Sequence, residues 1–461
     1  MSNKKDISNE LATAPVTKLI FKLSIPAVAA QLVNLLYNVV DRIYIGHMEG
    51  VGKIALTGVG ICFPVLALIS AFTMFVGQGG APRAAIEMGK GNIKGAEKIL
   101  GNCFTLLITL AVILTGTFLI VGEDFLMFFG ASSETIGYAL PYMQIYVSGS
   151  IFVMMALGLN MFITTQGFTK ISMATVIIGA VTNIILDPIF IFGFKMGVRG
   201  AALATIISQG VSAIWVVCFL FGKKTKIRIK KENLIPSWKV LAPVIALGVS
   251  PFIMNATEAI INVSFNKSLQ AYGGDLAVGT MTVCATIFQM AWVPAQGIGQ
   301  GAQPIISYNY GANNVQRVKK AFKVFLTICF SYVFICGLLI ELFPKVFIGI
   351  FNSDLANTES TINMLRLYSA ALVFFGIQMA VQQTFIAIGK AKASLFIACL
   401  RKIILLLPLI YILPHFISDK VFAVFLAEPC SDAISIVVSA ITFIFVFRKE
   451  IKEMEKRAKT L

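Results

Sequence analysis

Charged side chains are scarce in this sequence. Asp, Glu, Lys and Arg make up 13% of the 461 residues, which is about half of what a soluble protein of this length carries. Hydrophobic residues make up 57%. This balance excludes a soluble globular protein and predicts an all-α polytopic membrane protein, because helices satisfy their own backbone hydrogen bonds within lipid.

Residues that build metal centres and disulfides are also few. The chain has two histidines, His47 and His415, and eight cysteines without a CxxC pair. Most of the cysteines lie in apolar runs, where they fill space as small apolar side chains. Both histidines fall at the ends of apolar runs, and no HExxH motif is present. These absences argue against a zinc site, a disulfide framework and an enzyme, so we expect no cofactor and no catalytic residue.

The basic residues stand between the apolar runs, although their sum gives a net charge of +16. This placement argues against a nucleic-acid partner and predicts topology, because Lys and Arg concentrate on the cytoplasmic side of a membrane. With Arg401 and Lys402 counted in the inner segment of Lys390 and Lys392, both termini are expected in the cytoplasm. The basic stretch from Lys223 to Lys239 is then a cytoplasmic linker, and the basic side contacts anionic lipid. Residues 1–15 hold no apolar core, so no cleavable signal peptide is expected.

Apolar runs separated by short polar turns predict twelve spanning helices. A run of about 20 residues is long enough to cross a hydrocarbon core of about 30 Å. The predicted runs are 17–46, 55–82, 99–122, 136–165, 171–194, 200–222, 240–270, 276–305, 321–344, 363–388, 395–415 and 421–447.

The two halves of the chain repeat each other. The segment GQGGAP at 77–82 matches GQGAQP at 299–304, and its glycines are expected to permit close helix packing. We therefore predict two pseudo-symmetric six-helix lobes, 1–222 and 240–461, joined by the linker at 223–239. Parallel repeats of this kind are typical of transporters with the substrate route between the halves. The alternative is a duplicated protein that does not transport.

An acid stands in the middle of the fifth apolar run. Asp187 is the sole charge within 171–194, and a carboxylate at that depth costs at least ~2.5 kcal/mol on insertion scales. Asn183 lies four residues earlier, on the same helix face. Pro188 leaves the carbonyl of Ile184 without its usual partner, so the helix can kink there. Predicted kinks are Pro26, Pro188 and Pro251. An ion or proton site is favoured at Asp187, and the alternative is a structural acid bonded to a neighbouring helix.

Two further helices bring polar side chains to the same level of the membrane. Asp41 lies in the outer half of the first helix, at a depth similar to that of Asp187, and Thr205 returns to that level in the sixth. With Asn183, these residues can surround Na⁺ through their oxygens. Alternatively, the two carboxylates can share a proton. The residues alone leave both choices open.

Together these features resemble the multidrug and toxic compound extrusion (MATE) family, and within it the bacterial MepA-like exporters. The resemblance covers essentially the whole chain, with twelve helices, two halves and repeated GQG-x-x-P segments. The segment YNVVD at 37–41 looks like the first helix of the family, and NxxxDP at 183–188 looks like the fifth. The resemblance implies that Asp41, Asn183, Asp187 and Thr205 form a cation site in the first lobe.

The resemblance also implies residues around a substrate. Tyr37, one turn before Asp41, matches a chamber residue, and Glu258 resembles the seventh-helix acid of another branch. That branch pairs this acid with an Asp in helix ten, where this chain has Gln378, Gln382 and Gln383. Met and aromatic side chains adapt to varied apolar cations, although ordinary helix packing is the alternative for each. The predicted chamber residues are Tyr37, Glu258, Gln289, Met290, Trp292, Gln296, Met379 and Gln383.

The function that the resemblance implies is secondary active multidrug efflux, in which amphipathic, often cationic compounds leave by antiport with Na⁺ or H⁺. The sequence has no nucleotide-binding motif, so an ion gradient must supply the energy. The implied protein is a monomer in a bacterial cytoplasmic membrane, whose partners are small-molecule drugs or toxic organic cations and membrane lipids. No metal other than Na⁺ is implied. One alternative is a lipid or lipid-linked saccharide flippase, which would need a cationic cavity for phosphates, whereas the embedded charges identified here are mostly acidic. A more distant alternative is an intramembrane enzyme.

Overall fold

The computed structural model describes residues 7–48, 50–351 and 358–460, and these residues are helical throughout apart from short connections. Within these ranges ten helices are long and apolar enough to span a membrane, and a bent pair makes an eleventh span. The longest helix, Trp238–Gly311, has 74 residues and breaks at Gly274. Unbroken it would be about 110 Å long, so it forms two spans. The prediction of twelve spanning helices is confirmed.

The first six spans follow the predicted runs with one shift. Their bounds are Val16–Gly46, Phe63–Gly89, Ile93–Phe128, the bent pair Ile136–Ser148 and Ser150–Thr165, Thr169–Gly193, and Val198–Phe221. The run predicted from residue 55 is divided into a short helix, Gly52–Ile61, and the second span. Pro64 stands in the first turn of that span, where the missing N–H of proline has no cost. A short helix at Ile7–Thr13 precedes the first span.

The second half begins after a short helical turn, Lys231–Asn233. Its spans are 238–273, 275–311, Val315–Leu342, Glu359–Ala387, Ala391–Phe416 and Lys420–Lys459. Gly274 separates the first two with φ of 62°, a left-handed conformation that glycine adopts without steric cost.

The internal repeat of the sequence is also a repeat of local structure. Asn92 precedes the third span, and its side-chain oxygen accepts a hydrogen bond from the backbone N–H of Gly95 at 3.0 Å. Asn314 precedes the ninth span and accepts from the backbone N–H of Arg317 at 3.2 Å. Both asparagines therefore cap the N-terminus of the third helix in their half.

The chain forms two compact units. Of the described residues, those within 1–10 and 29–255 form the first unit, and those within 11–28 and 256–461 form the second. The first part of span one thus belongs with the second half of the sequence, and the first part of span seven belongs with the first half. The predicted lobe boundaries at 222 and 240 stay a prediction.

Glycines of the repeated GQG segments contact these exchanged pieces. A Cβ atom on Gly79 would lie 3.2 Å from the Cα of Gly248, within the first unit. A Cβ atom on Gly301 would lie 2.5 Å from the Cα of Ser24, within the second unit. The backbones approach too closely for any larger side chain, so the expectation that these glycines permit close helix packing holds at both positions.

The linker between the halves is bound to the first unit. The side-chain oxygen of Gln166 accepts hydrogen bonds from the Thr225 hydroxyl at 2.8 Å and from the backbone N–H groups of Lys226 and Ile227 at 2.8 and 3.1 Å. Ile227 is fully buried. The basic stretch is therefore ordered along part of its length, and its cytoplasmic location stays a prediction.

The eleventh span corrects the assignment of two basic residues. Arg401 and Lys402 were counted as charges of an inner segment, but the structure places them inside Ala391–Phe416, in a π-helical stretch, with 7% and 8% of their surface exposed. The expectation was wrong because position near a basic connection cannot distinguish a loop charge from a buried and paired one. The other basic residues of that connection, Lys390 and Lys392, precede the helix or lie in its first turn.

Candidate cation-binding site

Two helices of the first unit bring three predicted site residues together. Asn183 and Asp187 lie four residues apart on Thr169–Pro188 and share a face. Asn183 Nδ2 donates to Asp187 Oδ1 at 3.2 Å, and it lies 3.5 Å from Thr205 Oγ1 on Val198–Phe221. All three side chains are buried. The amide of Asn183 therefore links the two helices at this level.

Three buried oxygens at this level have no hydrogen-bond partner among the residues that the structure describes. They are Asp41 Oδ1, Asn183 Oδ1 and Asp187 Oδ2. Leaving a buried acceptor unsatisfied costs about 1–3 kcal/mol, and more for a charged group. A proton or a small hard cation would satisfy these acceptors, since such cations bind oxygen ligands. The donor set thus fits both coupling ions considered from the sequence.

The first span contributes Asp41 and Tyr37 to the same place. The carboxyl groups of Asp41 and Asp187 are close enough for their charges to interact. Tyr37 lies within the same reach of both acids, and its hydroxyl shares a hydrogen bond with the side chain of Gln209. Two carboxylates repel each other in a low dielectric, so a cation between them stabilises their approach.

Two tyrosines of the fourth span were missed by sequence reasoning. Tyr142 and Tyr146 are buried, stack with ring centroids 6.3 Å apart, and lie within electrostatic reach of Asp41. Their spacing of four residues on one helix face was the available signal. In an otherwise apolar run, the same spacing is equally typical of core packing.

A π-helical turn follows Pro188, and the start of the sixth span packs against this turn. The turn covers Ile189–Gly193, as expected where proline removes a donor from the helical ladder. A Cβ atom on Gly200 would lie 2.7 Å from the carbonyl carbon of Phe190. Glycine therefore lets the sixth span contact this turn, which places Thr205 beside Asn183.

A cavity adjoins the site within the first unit. Its wall includes Gly179, one turn before Asn183, and Ser208, three residues after Thr205. Polar residues that line it include Asn34, Tyr37, Asn160, Ser208, Gln209 and Ser212. The Oδ1 atom of Asn160 also has no hydrogen-bond partner among the described residues. The cavity therefore extends the polar surface of the site.

In the second unit the predicted seventh-helix acid has a partner that the sequence did not reveal. Lys402 Nζ lies 2.8 Å from Glu258 Oε2. The helix-ten glutamines make other contacts, since Ser439 donates to Gln378 at 2.5 Å and Gln382 donates to Ser394 Oγ at 3.0 Å. An ammonium group thus stands beside Glu258 in this protein.

The predicted chamber residues of the second unit differ in exposure. Gln289 and Met290 are exposed, and Gln296 and Gln383 are partly buried. Trp292 packs on Phe375, with ring centroids 5.3 Å apart. Met379 is 3% exposed and belongs to the hydrophobic core, so packing is the better interpretation for it. The assignment of the others to a substrate chamber stays a prediction.

Comparison with known protein families finds the same two halves that repeat in the sequence. The profile of one family, MatE, matches the chain twice, over residues 26–189 and 251–412. The matches begin at Pro26 and Pro251, the two prolines at equivalent places in the halves. This chain belongs to the MatE family. As a member, it is a multi-pass membrane protein built from two related halves.

Relatives of this MatE protein match nearly its whole length. They include the multidrug export protein MepA of Staphylococcus aureus (strain NCTC 8325 / PS 47), which is 23% identical over 434 residues, 92% of this chain and 94% of the relative. MepA of Staphylococcus saprophyticus is 24% identical over 431 residues, 92% of this chain and 93% of the relative.

Solved structures of MATE transporters share the fold. One is an outward-facing conformation of a multidrug resistance MATE family transporter, with a TM-score of 0.89 and 24% identity over 98% of this chain and 99% of that one. Another is a MATE protein in the bent conformation, with a TM-score of 0.89 and 25% identity over 99% of this chain and all of that one. The expected fold class, a two-lobed all-α membrane protein, is confirmed.

Proposed function

We propose that this MatE protein is a secondary active multidrug exporter, which moves amphipathic organic cations out of a bacterial cell by antiport with H⁺ or Na⁺. The observation that carries the proposal is the group of unpartnered oxygens on Asp41, Asn183 and Asp187. A monovalent cation bound among these oxygens would satisfy them inside a membrane-spanning unit. The MepA relatives are named multidrug export proteins, which supports the same transport class.

The side chains of the site supply the coupling as follows. Asp41 and Asp187 repel each other when both are ionised, and a bound cation removes that repulsion. The amide group of Asn183 donates to one oxygen of Asp187 and lies close to the hydroxyl of Thr205, so it positions both side chains. A cation then shifts the equilibrium between two conformations only by the difference in its affinity for them. Pro26 and the π-helical turn after Pro188 are the proposed points of bending.

The charges of the second unit do not favour the flippase alternative. Arg401 and Lys402 are embedded cations, but each is paired with a carboxylate. A phosphate-bearing substrate would have to displace those acids. We therefore propose that the protein transports cations, as a monomer whose other partners are membrane lipids.

The test is dye efflux from inverted vesicles, with H⁺ and Na⁺ gradients imposed separately. Asp187→Asn nearly preserves the volume of the side chain and removes its charge, so ion-driven efflux should fall about tenfold or more. Asp41→Asn should behave similarly, and Glu258→Gln should have a smaller effect because Lys402 already neutralises this acid. Asp124→Asn, an exposed acid at the end of the third span, is the matched control. Full activity of Asp187→Asn at equal membrane abundance would contradict the site, and the gradient that drives efflux identifies the ion.

A further inference from the structure

Five ionisable side chains meet inside the second unit, in a different unit from Asp187. The eleventh span contributes Arg401 and Lys402, the twelfth contributes Glu428 and Asp432, and the seventh contributes Glu258. Four of these residues, the two basic ones, Glu428 and Asp432, were not identified from the sequence as charges inside the membrane. The cluster therefore needs an explanation that the proposed transport site does not provide.

Arg401 is the centre of this charge cluster. Its Nη2 donates to Glu428 Oε1 at 2.9 Å, and its Nε donates to Asp432 Oδ1 at 2.6 Å. The guanidinium carbon also lies 4.6 Å from the ring centroid of Phe375. Arg401, Glu428 and Asp432 are 7%, 4% and 1% exposed. One guanidinium thus holds two carboxylates on the same face of the twelfth span, four residues apart.

Lys402 connects the centre of the cluster to a more accessible acid. Its ammonium group is 2.8 Å from Glu258, and the side chains of Lys402 and Glu258 are 9% and 49% exposed. The charge of Arg401 also interacts with Glu258. Glu258 is therefore the most exposed acid of the cluster.

The other titratable groups near the cluster are neutral at physiological pH. The hydroxyl of Tyr368, on the tenth span, lies within electrostatic reach of Glu428, Glu258 and Asp432. Cys284, on the eighth span, interacts with Tyr368. Phenols and thiols both lose their protons only in alkaline solution. Neither group changes the charge of the cluster near neutral pH.

The cluster contains three carboxyl groups and two cations. With every group ionised it carries one uncompensated negative charge in a membrane interior, where a buried charge without a partner is strongly unfavourable. The guanidinium cannot lose its proton, so the group that restores neutrality is an added proton on a carboxylate. We propose that this cluster binds one exchangeable proton, shared by Glu428 and Asp432 around Arg401.

This proton site is separate from the oxygens around Asp187. Its occupancy depends on the balance of charge within the second unit, so it stands whether or not Asp187 binds the coupling ion. A proton that binds here leaves Arg401 paired with one carboxylate instead of two. The twelfth span then holds the eleventh less strongly, which gives the second unit its own response to pH.

The experiment is infrared difference spectroscopy of the purified full-length protein as pH is varied. The background is the double variant Asp41→Asn/Asp187→Asn, which removes the two carboxyl groups of the proposed ion site in the first unit. We expect the carbonyl-stretch band of one protonated carboxyl group to appear as pH falls. Glu428→Gln and Asp432→Asn should each abolish the whole band, because either change leaves two acids for two cations.

A variant that removes a cation instead of an acid tests the proposal even if Glu428→Gln and Asp432→Asn impair folding. Lys402→Met removes a cation, so the band should persist to a proton concentration at least about tenfold lower. Glu450→Gln is the control, since this buried acid of the same helix is paired with Lys390 and Tyr310 outside the cluster. Absence of the band in the background, or a band that Glu428→Gln, Asp432→Asn and Lys402→Met leave unchanged, would overturn the proposal.

Discussion

At the scale of single residues, Thr205 offers the sharpest test of the ion site. Its hydroxyl is its sole polar side-chain atom and lies 3.5 Å from Asn183 Nδ2. Valine has nearly the same shape without the hydroxyl, so Thr205→Val should weaken the affinity for the coupling ion about tenfold, the loss of one hydrogen bond to a charged group. The measurement is efflux as a function of H⁺ or Na⁺ concentration. Thr205→Ser should retain the affinity. If Thr205→Val leaves the ion concentration for half-maximal efflux unchanged, Thr205 is not part of the ion site.

Arg401 should contribute strongly to stability, unlike most charged residues. Removing one partner of a buried ion pair costs about 3–5 kcal/mol, and Arg401→Met leaves both Glu428 and Asp432 unpaired. We expect a clear fall in unfolding temperature in detergent, with partial recovery in Arg401→Met/Asp432→Asn. Lys319→Met is the control, because Lys319 and Glu455 form an exposed pair at 2.9 Å, and such pairs contribute about 0–1 kcal/mol. Equal loss in both variants would show that Arg401 is not a structural centre.

Thr205 and Arg401 illustrate which site residues the sequence could predict and which it could not. Thr205 was predictable because its depth matches that of Asp187, and helical spacing places Asn183 on the same face. Arg401 was not, because a basic residue near a helix end is typical of membrane topology. Its acids lie about thirty residues later in the chain, and helix pairing at that distance depends on tertiary contacts that no local pattern encodes.

At the scale of elements, the glycines of the GQG segments determine which helices can approach each other. A Cβ atom on Gly301 would meet the Cα and backbone nitrogen of Ser24 at 2.5 Å. Gly301→Ala should therefore destabilise the protein by about 1–3 kcal/mol, the usual cost of overpacking. Gly116→Ala is a matched control in the third span, because nothing lies within 4 Å of the added atom. Thermal unfolding of the two variants should differ clearly, and equal unfolding temperatures would contradict the close approach.

The helices themselves were the most predictable elements. Apolar runs located all twelve spans, although the third, eighth, ninth and twelfth extend at least six residues beyond a predicted end. The second span was shifted because Pro64 favours a helix start over continuation. The π-helical stretches after Pro188 and around Arg401 were not predictable. The backbone hydrogen bonds in these stretches depend on packing against the neighbouring helix rather than on the local sequence.

At the scale of the whole molecule, the orientation of the membrane protein can be tested in the linker. Thr225 is buried against Gln166, so a probe there would report burial rather than sidedness. Glu232 is exposed, and Glu232→Cys in a background without native cysteines should react with an impermeant thiol reagent only in inverted vesicles. Asp124→Cys, at the far end of the third span, should react on intact cells. Labelling of Glu232→Cys from outside would reverse the predicted topology.

The exchange of helix segments between the two units has a consequence for how the protein is made. Ser24 donates to the carbonyl of Ile298, 274 residues later in the chain. A ribosome adds roughly 5–20 residues per second, so on the order of 15 to 55 s pass before the first helix can meet this partner. During that time the newly inserted segment stays in the bilayer without its final neighbours. The first part of span one therefore acquires its native packing only after most of the chain has entered the membrane.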